Sequence, residues 1–442
     1  MVDKKGLAAL KRGVEYWNNW RKSEQYVQLD FRGINISSET LLGINFAGVN
    51  FAGATLVKCN FCGANFDGAD LTGANLAETN LSGTSLCGVK LTGANLIGVN
   101  YRGAESTASD FSLANLSNAD LRVVNFRGAE LSGANFNQAN LNSANFVGAN
   151  LTRVNFQLAK LDNTNFERAN LSQANFGSAE LSEACLKGAN LSEANLSSAV
   201  LDRANLNQAD LVEANFSGAK LIRVNLSQAD LSRANLVNAN LGSANLQMAN
   251  LAKADLNRAS LRGANLTQAN LLNAKAWGTN FNQSVLTGAC LENLRLDAKT
   301  TFIEVVCRYL YLKYDRQQRL PQDRQKNLSF SEFQIILQDL MDSVDIIFNE
   351  DLDWSIMLNA FTALERKYSS HIIQLKSVHT ISNYRFIVKI KIRPSREIKA
   401  IEHYFRQQYN LAAATAANCD RQENVITQNK AARELLHSYK QN

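Results

Sequence analysis

The stretch FRGAE-LSGAN-FNQAN-LNSAN-FVGAN-LTRVN-FQLAK-LDNTN-FERAN-LSQAN-F, residues 126–176, decides the fold. A large apolar residue returns at every fifth position. Phe and Leu alternate strictly through Phe126, Leu131, Phe136, Leu141, Phe146, Leu151, Phe156, Leu161, Phe166, Leu171 and Phe176. Working outward, the same stride holds from Phe31 to Leu296, 54 consecutive units. Two residues before each centre stands a small or β-branched residue, usually Ala. Asn or Asp comes directly before the centre, and the two residues after it are polar, Gly or variable. Helices repeat at about 3.6 residues and strands at about 2, so neither keeps one face apolar at a stride of five. A short period sustained this long marks a solenoid, whose units bury their faces only against neighbouring units.

The pattern resembles the pentapeptide-repeat superfamily. Its consensus A-(D/N)-L-x-x stands here as Ala74-Asn75-Leu76 and Ala169-Asn170-Leu171, among many others. The resemblance implies a mainly β chain built on a right-handed quadrilateral β-helix, with four units per coil and the centre and small residue pointing inward. The Phe/Leu alternation supports four sides independently. With four units per turn, Phe126, Phe146 and Phe166 stack on one wall, Phe136, Phe156 and Phe176 on the opposite one, and leucines fill the other two. Residues 31–296 then make about 13 coils, roughly 65 Å long at a strand spacing of about 4.8 Å. Ser106 and Ala276 are undersized centres where a cavity or local irregularity is expected.

Composition bounds the rest. The net charge of +6 lies outside the repeats, which hold 19 basic and 19 acidic residues. No apolar run is long enough to span a bilayer and residues 1–30 lack a signal-peptide core, so a cytoplasmic protein is expected, with no integral membrane segment. Seven cysteines show no framework spacing. Cys59 and Cys62 match C-x-x-C, but the register puts Cys59 inward and Cys62 outward, against a redox or zinc pair.

Residues 1–30 read as one amphipathic helix with Leu7, Leu10, Val14 and Trp17 in a stripe. A β-helix end has open strand edges, so this helix is expected to cap the first coil; the alternative is a membrane-surface or partner helix. Residues 20 apart fall in one column, giving Glu193, Glu213, Arg233 and Lys253 on one wall and Glu183, Arg203 and Arg223 on another.

Beyond Asp297 the stride stops. Residues 302–314 are expected to lid the last coil. Residues 297–410 read as a small α+β domain, and 411–442 as a helical or partly disordered tail. A helix from Ser329 or Ser331 is expected to run through Phe333, Leu337, Val344, Ile347 and Phe348, and a second to begin at Asp353. Strands are expected near 371–379 and 384–392, and a last helix from about Ser395. The segment is similar to the α+β domain that follows pentapeptide repeats in some cyanobacterial proteins.

Catalytic motifs are not found, and no cofactor or metal is expected; the acidic group Asp339, Asp342, Asp345, Glu350, Asp351 and Asp353 matches no calcium loop. The chain is read as a non-catalytic protein-interaction or scaffold protein, with partner specificity lying in the C-terminal module, and as a monomer. Some pentapeptide-repeat proteins of the quinolone-resistance type present an acidic rod that mimics DNA and bind topoisomerases such as gyrase. The balanced charge here lacks the density that mimicry requires. A third reading rests on Arg385, Lys389, Lys391 and Arg393, which alternate with Phe386, Val388, Ile390 and Ile392. They form either a basic ridge for an anionic membrane, nucleic acid or acidic partner, or an edge strand protected by lysines.

Overall fold

The computed structural model describes residues 3–23, 28–314, 318–341, 343–348, 353–382, 385–393 and 398–418. The chain divides into two compact units after Ser329. In the first, parallel backbone bridges join each residue before a centre to the one 20 positions on, from Asp30↔Asn50 to Lys275↔Arg295. Four five-residue units therefore make one coil. Phe126 N donates to Asn145 O (2.7 Å), and Asn145 N donates to Val124 O (2.9 Å); the same pair of bonds recurs along the solenoid. Each unit also closes on itself. Ala129 N donates to Phe126 O (3.0 Å) across a β-turn whose third residue, Gly128, has φ 63°. This is type II geometry, where glycine sits without strain. Val123 adopts φ 60° and Leu113 φ 58° at the equivalent place, both exposed.

The centres Phe126, Leu131, Phe136, Leu141, Phe146, Leu151, Phe156, Phe166 and Phe176 are fully buried. Phe126, Phe146 and Phe166 stack at 5.2 and 5.0 Å, and Phe136, Phe156 and Phe176 at 5.1 Å per step. The two ladders meet edge to face, as Phe126 and Phe136 do at 6.2 Å. At Ser106 the neighbouring centre Tyr101 is fully buried, and its hydroxyl lies 2.5 Å from Ser106 Oγ, so the buried phenol keeps a partner and its pKa is driven upward by desolvation.

The coils do not stop at Leu296. Pairing continues as Asn280↔Thr301, Val285↔Val306 and Cys290↔Tyr311, at a spacing of 21. The boundary drawn at 296/297 is therefore corrected. One inserted residue is absorbed by a turn in which Asp297 Oδ1 accepts from Gly278 N, Lys299 N and Thr300 N. Phe302 then stacks on Phe281 at 4.9 Å. The insertion, with Val and Tyr replacing Asn before the centres, hides this last coil from the periodicity. Pairing at Ala276 is regular; the irregularity sits at 297–300. A short pair, β1 (Leu310–Tyr311) and β2 (Arg319–Leu320), completes this end.

The N-terminal segment is two helices where one was expected, α1 (Lys4–Leu10) and α2 (Val14–Ser23), broken at Gly13 with φ 95°. Trp17 and Leu10 are buried, Leu7 and Val14 half-buried. Elsewhere the N–H and C=O of the residue before a centre, and the C=O of the residue after it, bond to the coil below. The first coil has none below. Along one side, α2 supplies substitutes: Asn45 N donates to Asn18 Oδ1 (2.8 Å), and Trp17 Nε1 donates to Asn45 O (2.7 Å). Arg21 Nη2 donates to Ala47 O (2.6 Å). The indole also packs on Phe31 and Phe46, at 5.9 and 5.3 Å. Three side chains thus satisfy backbone groups that would otherwise be orphaned.

The second unit holds α3 (Phe330–Met341), β3 (Ser343–Phe348), α4 (Trp354–Lys367), β4 (Ile372–Ser382), β5 (Arg385–Arg393) and α5 (Ile398–Asn418). Its sheet is antiparallel, in the order β3-β5-β4. The first helix ends at Met341, and Val344, Ile347 and Phe348 belong to a strand, a correction to the longer helix expected. The β-branched run suits a pleated surface, and alternation sends Ile346 and Phe348 into the core. Helices α4 and α5 cover that face of the sheet through Met357, Phe361, Leu364, Ile401, Phe405 and Tyr409. Asp353 caps α4, accepting from Ser355 N and Ile356 N. Helix α5 crosses the domain limit drawn at 410, as a helix continuing into the tail was expected to do, while residues 419–442 lie outside the described residues.

Two outcomes test this fold. Val123→Gly is expected to stabilise the protein by about 1 kcal/mol, because a β-branched residue is strained at positive φ; an unchanged urea midpoint contradicts the turn assignment. Trp17→Ala is expected to cost roughly 3–5 kcal/mol locally. Amide exchange should speed up in the first coils and stay unchanged near Phe156, as a nearest-neighbour array requires.

Candidate interaction surfaces

The solenoid bonds fix side chains of residues 20 apart one above another, so each wall carries columns of known composition. The predicted charge columns form. Arg203 Nη1 pairs with Glu183 Oε1 at 3.1 Å, and Arg233 Nη1 with Glu213 Oε1 at 2.7 Å. Both pairs are exposed and each is worth ~0–1 kcal/mol. Arg203 and Arg223, with Ser182, Glu183, Asp202 and Ile222, line an open cleft of roughly 390 Å³. Asp202 Oδ1 accepts from Ile222 N (2.9 Å), which ties two successive coils together at the cleft. Two acids and two arginines leave it without net charge, a surface that suits a polar protein contact better than a single ion. The sequence contained its residues in the Glu183 column; Asp202 and Ile222 in the neighbouring column were missed.

The basic strand is built differently from either reading of it. β5 is the central strand of its sheet, so it is no protected edge. Phe386, Val388, Ile390 and Ile392 face the core as expected. On the other face Lys391 is buried, and its Nζ donates to Asp339 Oδ1 of α3. Lys389 is half-buried, in register between Asp345 and Ser377. The side chains of Arg385 and Arg393 lie outside the described residues. The continuous basic ridge is therefore corrected: α3 covers one of its members and neutralises it. Asp339 is spent on that pair and Asp353 on a helix cap; the side chains of Asp342, Asp345, Glu350 and Asp351 lie outside the described residues.

Cys59 is buried, its thiol donating to Ile36 O (2.9 Å) and pushed up in pKa by desolvation, while Cys62 is exposed. Cys307 is pushed up to about 12 by burial. No described helix is long and apolar enough to cross a membrane.

Models of the pentapeptide repeats match residues 44–83, 69–104, 90–128, 189–228, 199–236, 234–271 and 264–298, and a model of a pentapeptide repeat region matches 119–196. Together they run from 44 to 298 without a gap. The chain belongs to the pentapeptide-repeat family. Its solenoid is accordingly the right-handed β-helix of these proteins. Among solved structures, one match is HetL, a pentapeptide repeat protein involved in heterocyst differentiation regulation from the cyanobacterium Nostoc. It is 29% identical over 58% of this chain and 90% of that one, with a TM-score of 0.21. A thylakoid-lumen pentapeptide repeat protein of Arabidopsis thaliana is 32% identical over 24% of this chain and 68% of its own, with a TM-score of 0.13. QnrB1, a plasmid-mediated fluoroquinolone resistance protein, is 16% identical over 50% and 93%, with a TM-score of 0.17. No curated protein matches the chain.

Asp339→Asn is expected to destabilise the second unit by about 1–3 kcal/mol, more than Lys391→Met does, because it strands a buried ammonium; the reverse order in thermal unfolding contradicts the pair. Thiol labelling of the native protein at pH 8 should modify Cys62 and spare Cys59 and Cys307.

Proposed function

We propose that this pentapeptide-repeat protein is a non-catalytic interaction scaffold. The first unit is a stiff shaft of quadrilateral section, its first coil closed by α1 and α2, and the α+β module selects a protein partner. The observation that carries this reading is the unbroken 20-residue pairing, which makes every wall a fixed, extended surface. Balanced columns such as Glu183–Arg203 and Glu213–Arg233 suit reversible protein contacts. We further propose a cytoplasmic monomer that works without a cofactor.

The topoisomerase-binding alternative requires dense negative charge along a wall. Here Arg or Lys stands in the same columns as Glu, so phosphate spacing is not reproduced. The lipid or nucleic-acid alternative loses support with Lys391 paired to Asp339.

Affinity capture from native lysate with the full chain and with a chain ending at Ser329 tests the proposal. Most partners should be lost with the module; if the shortened chain keeps them, specificity lies in the solenoid. The full chain at micromolar concentration should leave gyrase supercoiling unchanged, and inhibition or relief would restore the topoisomerase reading.

A further inference from the structure

One wall differs from the other three. Between Glu78 and Asp255 none of its outward residues is charged. Eight successive coils present only Asn, Ser, Gln and Gly, with Ile97, Leu158 and Val237 as the apolar side chains. Over the same coils the other walls carry charges such as Lys160 and Arg223, Arg127 and Lys187, Glu193 and Lys253. Ion pairs bracket the neutral stretch, Lys58–Glu78 below and Lys275–Asp255 above, each at 3.5 Å.

The same wall carries an unbroken column of asparagines from Asn75 to Asn235. Asn135 Nδ2 donates to Asn115 Oδ1 (3.1 Å), Asn155 to Asn135 (3.0 Å), Asn175 to Asn155 (3.2 Å) and Asn195 to Asn175 (2.9 Å). Each Oδ1 also accepts a backbone N–H two residues on, as from Gln157 N to Asn155 (3.1 Å) and from Ser197 N to Asn195 (3.2 Å). Both lone pairs of the amide oxygen are thereby used, and one of the two amide hydrogens. Among the described residues, the second hydrogen has no protein acceptor. The wall therefore offers a straight row of N–H donors, one per coil, at a pitch of about 4.8 Å.

This surface excludes most partners on physical grounds. It has no cations for phosphate or an anionic membrane. It lacks the Trp, Tyr and Arg anchors of protein hot spots. It suits an acceptor-rich ligand without charge. We propose that the wall from Asn95 to Asn238 binds an extended, neutral β-1,4-linked polysaccharide chain laid along the solenoid axis. Such a chain, unlike a helical glucan, advances by nearly the same step per sugar, so successive sugars present ring or hydroxyl oxygens to successive amides. The site goes beyond the scaffold function and does not rest on it.

The full-length protein, mixed with insoluble cellulose, is expected to be depleted from solution equally in 0.05 and 1 M NaCl, and to be left in solution by granular starch, whose chains are helical. Gln138→Lys with Ser198→Lys, both exposed on this wall, should weaken binding tenfold or more. Ser143→Lys with Ser243→Lys, exposed on another wall, should leave it intact, and both variants should unfold at the parent's midpoint. No depletion by cellulose, equal depletion by starch, loss on addition of salt, or equal loss in both variants overturns the proposal. Gel filtration in which only the Gln138/Ser198 variant changes size would instead assign the wall to a second copy of the chain.

Discussion

The structure depends on one hydrogen-bonding constraint: a centre bonds to the residue 19 ahead of it, and the residue before a centre to the one 21 behind. Once the coil is closed at four units, the direction of every side chain is fixed by its position within five. The centre and small residue are swallowed; the other three become columns on a wall. Stability is spread over repeated contacts, so an undersized centre such as Ser106 is tolerated when a neighbour, here Tyr101, reaches across. The constraint also makes the ends costly, because an end coil has donors and acceptors with nothing to meet. Trp17, Asn18 and Arg21 answer that cost at the first coil by placing side-chain groups where the next backbone would lie.

Much of this was legible from residues alone. The stride of five identified the solenoid, the resemblance to pentapeptide repeats implied four units per coil, and the Phe/Leu alternation supported that number and placed the two aromatic ladders. The columns Glu183–Arg203 and Glu213–Arg233 followed by arithmetic. What escaped had physical reasons. The positive φ of each turn was signalled only by the glycines two places after early centres, since Val123 and Arg153 occupy the same place elsewhere. The coil ending at Tyr311 was hidden by a single insertion at Asp297. The break at Gly13 separates two helices whose apolar residues happen to stay in phase. The strand Ser343–Phe348 was absorbed into a helix because Phe333 to Met341 establishes a helical period that the β-branched run does not visibly interrupt.

The candidate site was less legible than the fold. Charge read from a strand in isolation made Lys389, Lys391 and Arg393 a ridge, but the cation at 391 lies under α3 and pairs with Asp339, 52 residues away. Such a partner has no sequence signature. The neutral wall, by contrast, is written in the sequence at a spacing of 20 and becomes visible only when columns are followed for their lack of charge. A protein of this architecture carries its information in what each column contains and what it omits.

Electron-spin distance measurement between nitroxides on one column tests the central claim most directly. With labels at Ser117→Cys and Ser197→Cys, four coils apart, in a protein whose exposed Cys62 is replaced by Ser, the backbone separation is about 19 Å, and moving the second label to Ser217→Cys should add about 5 Å. Distances that increase by one coil pitch for every 20 residues are the predicted result. Distances that fail to scale with multiples of 20, or that place residues 15 or 25 apart closer than those 20 apart, would contradict it.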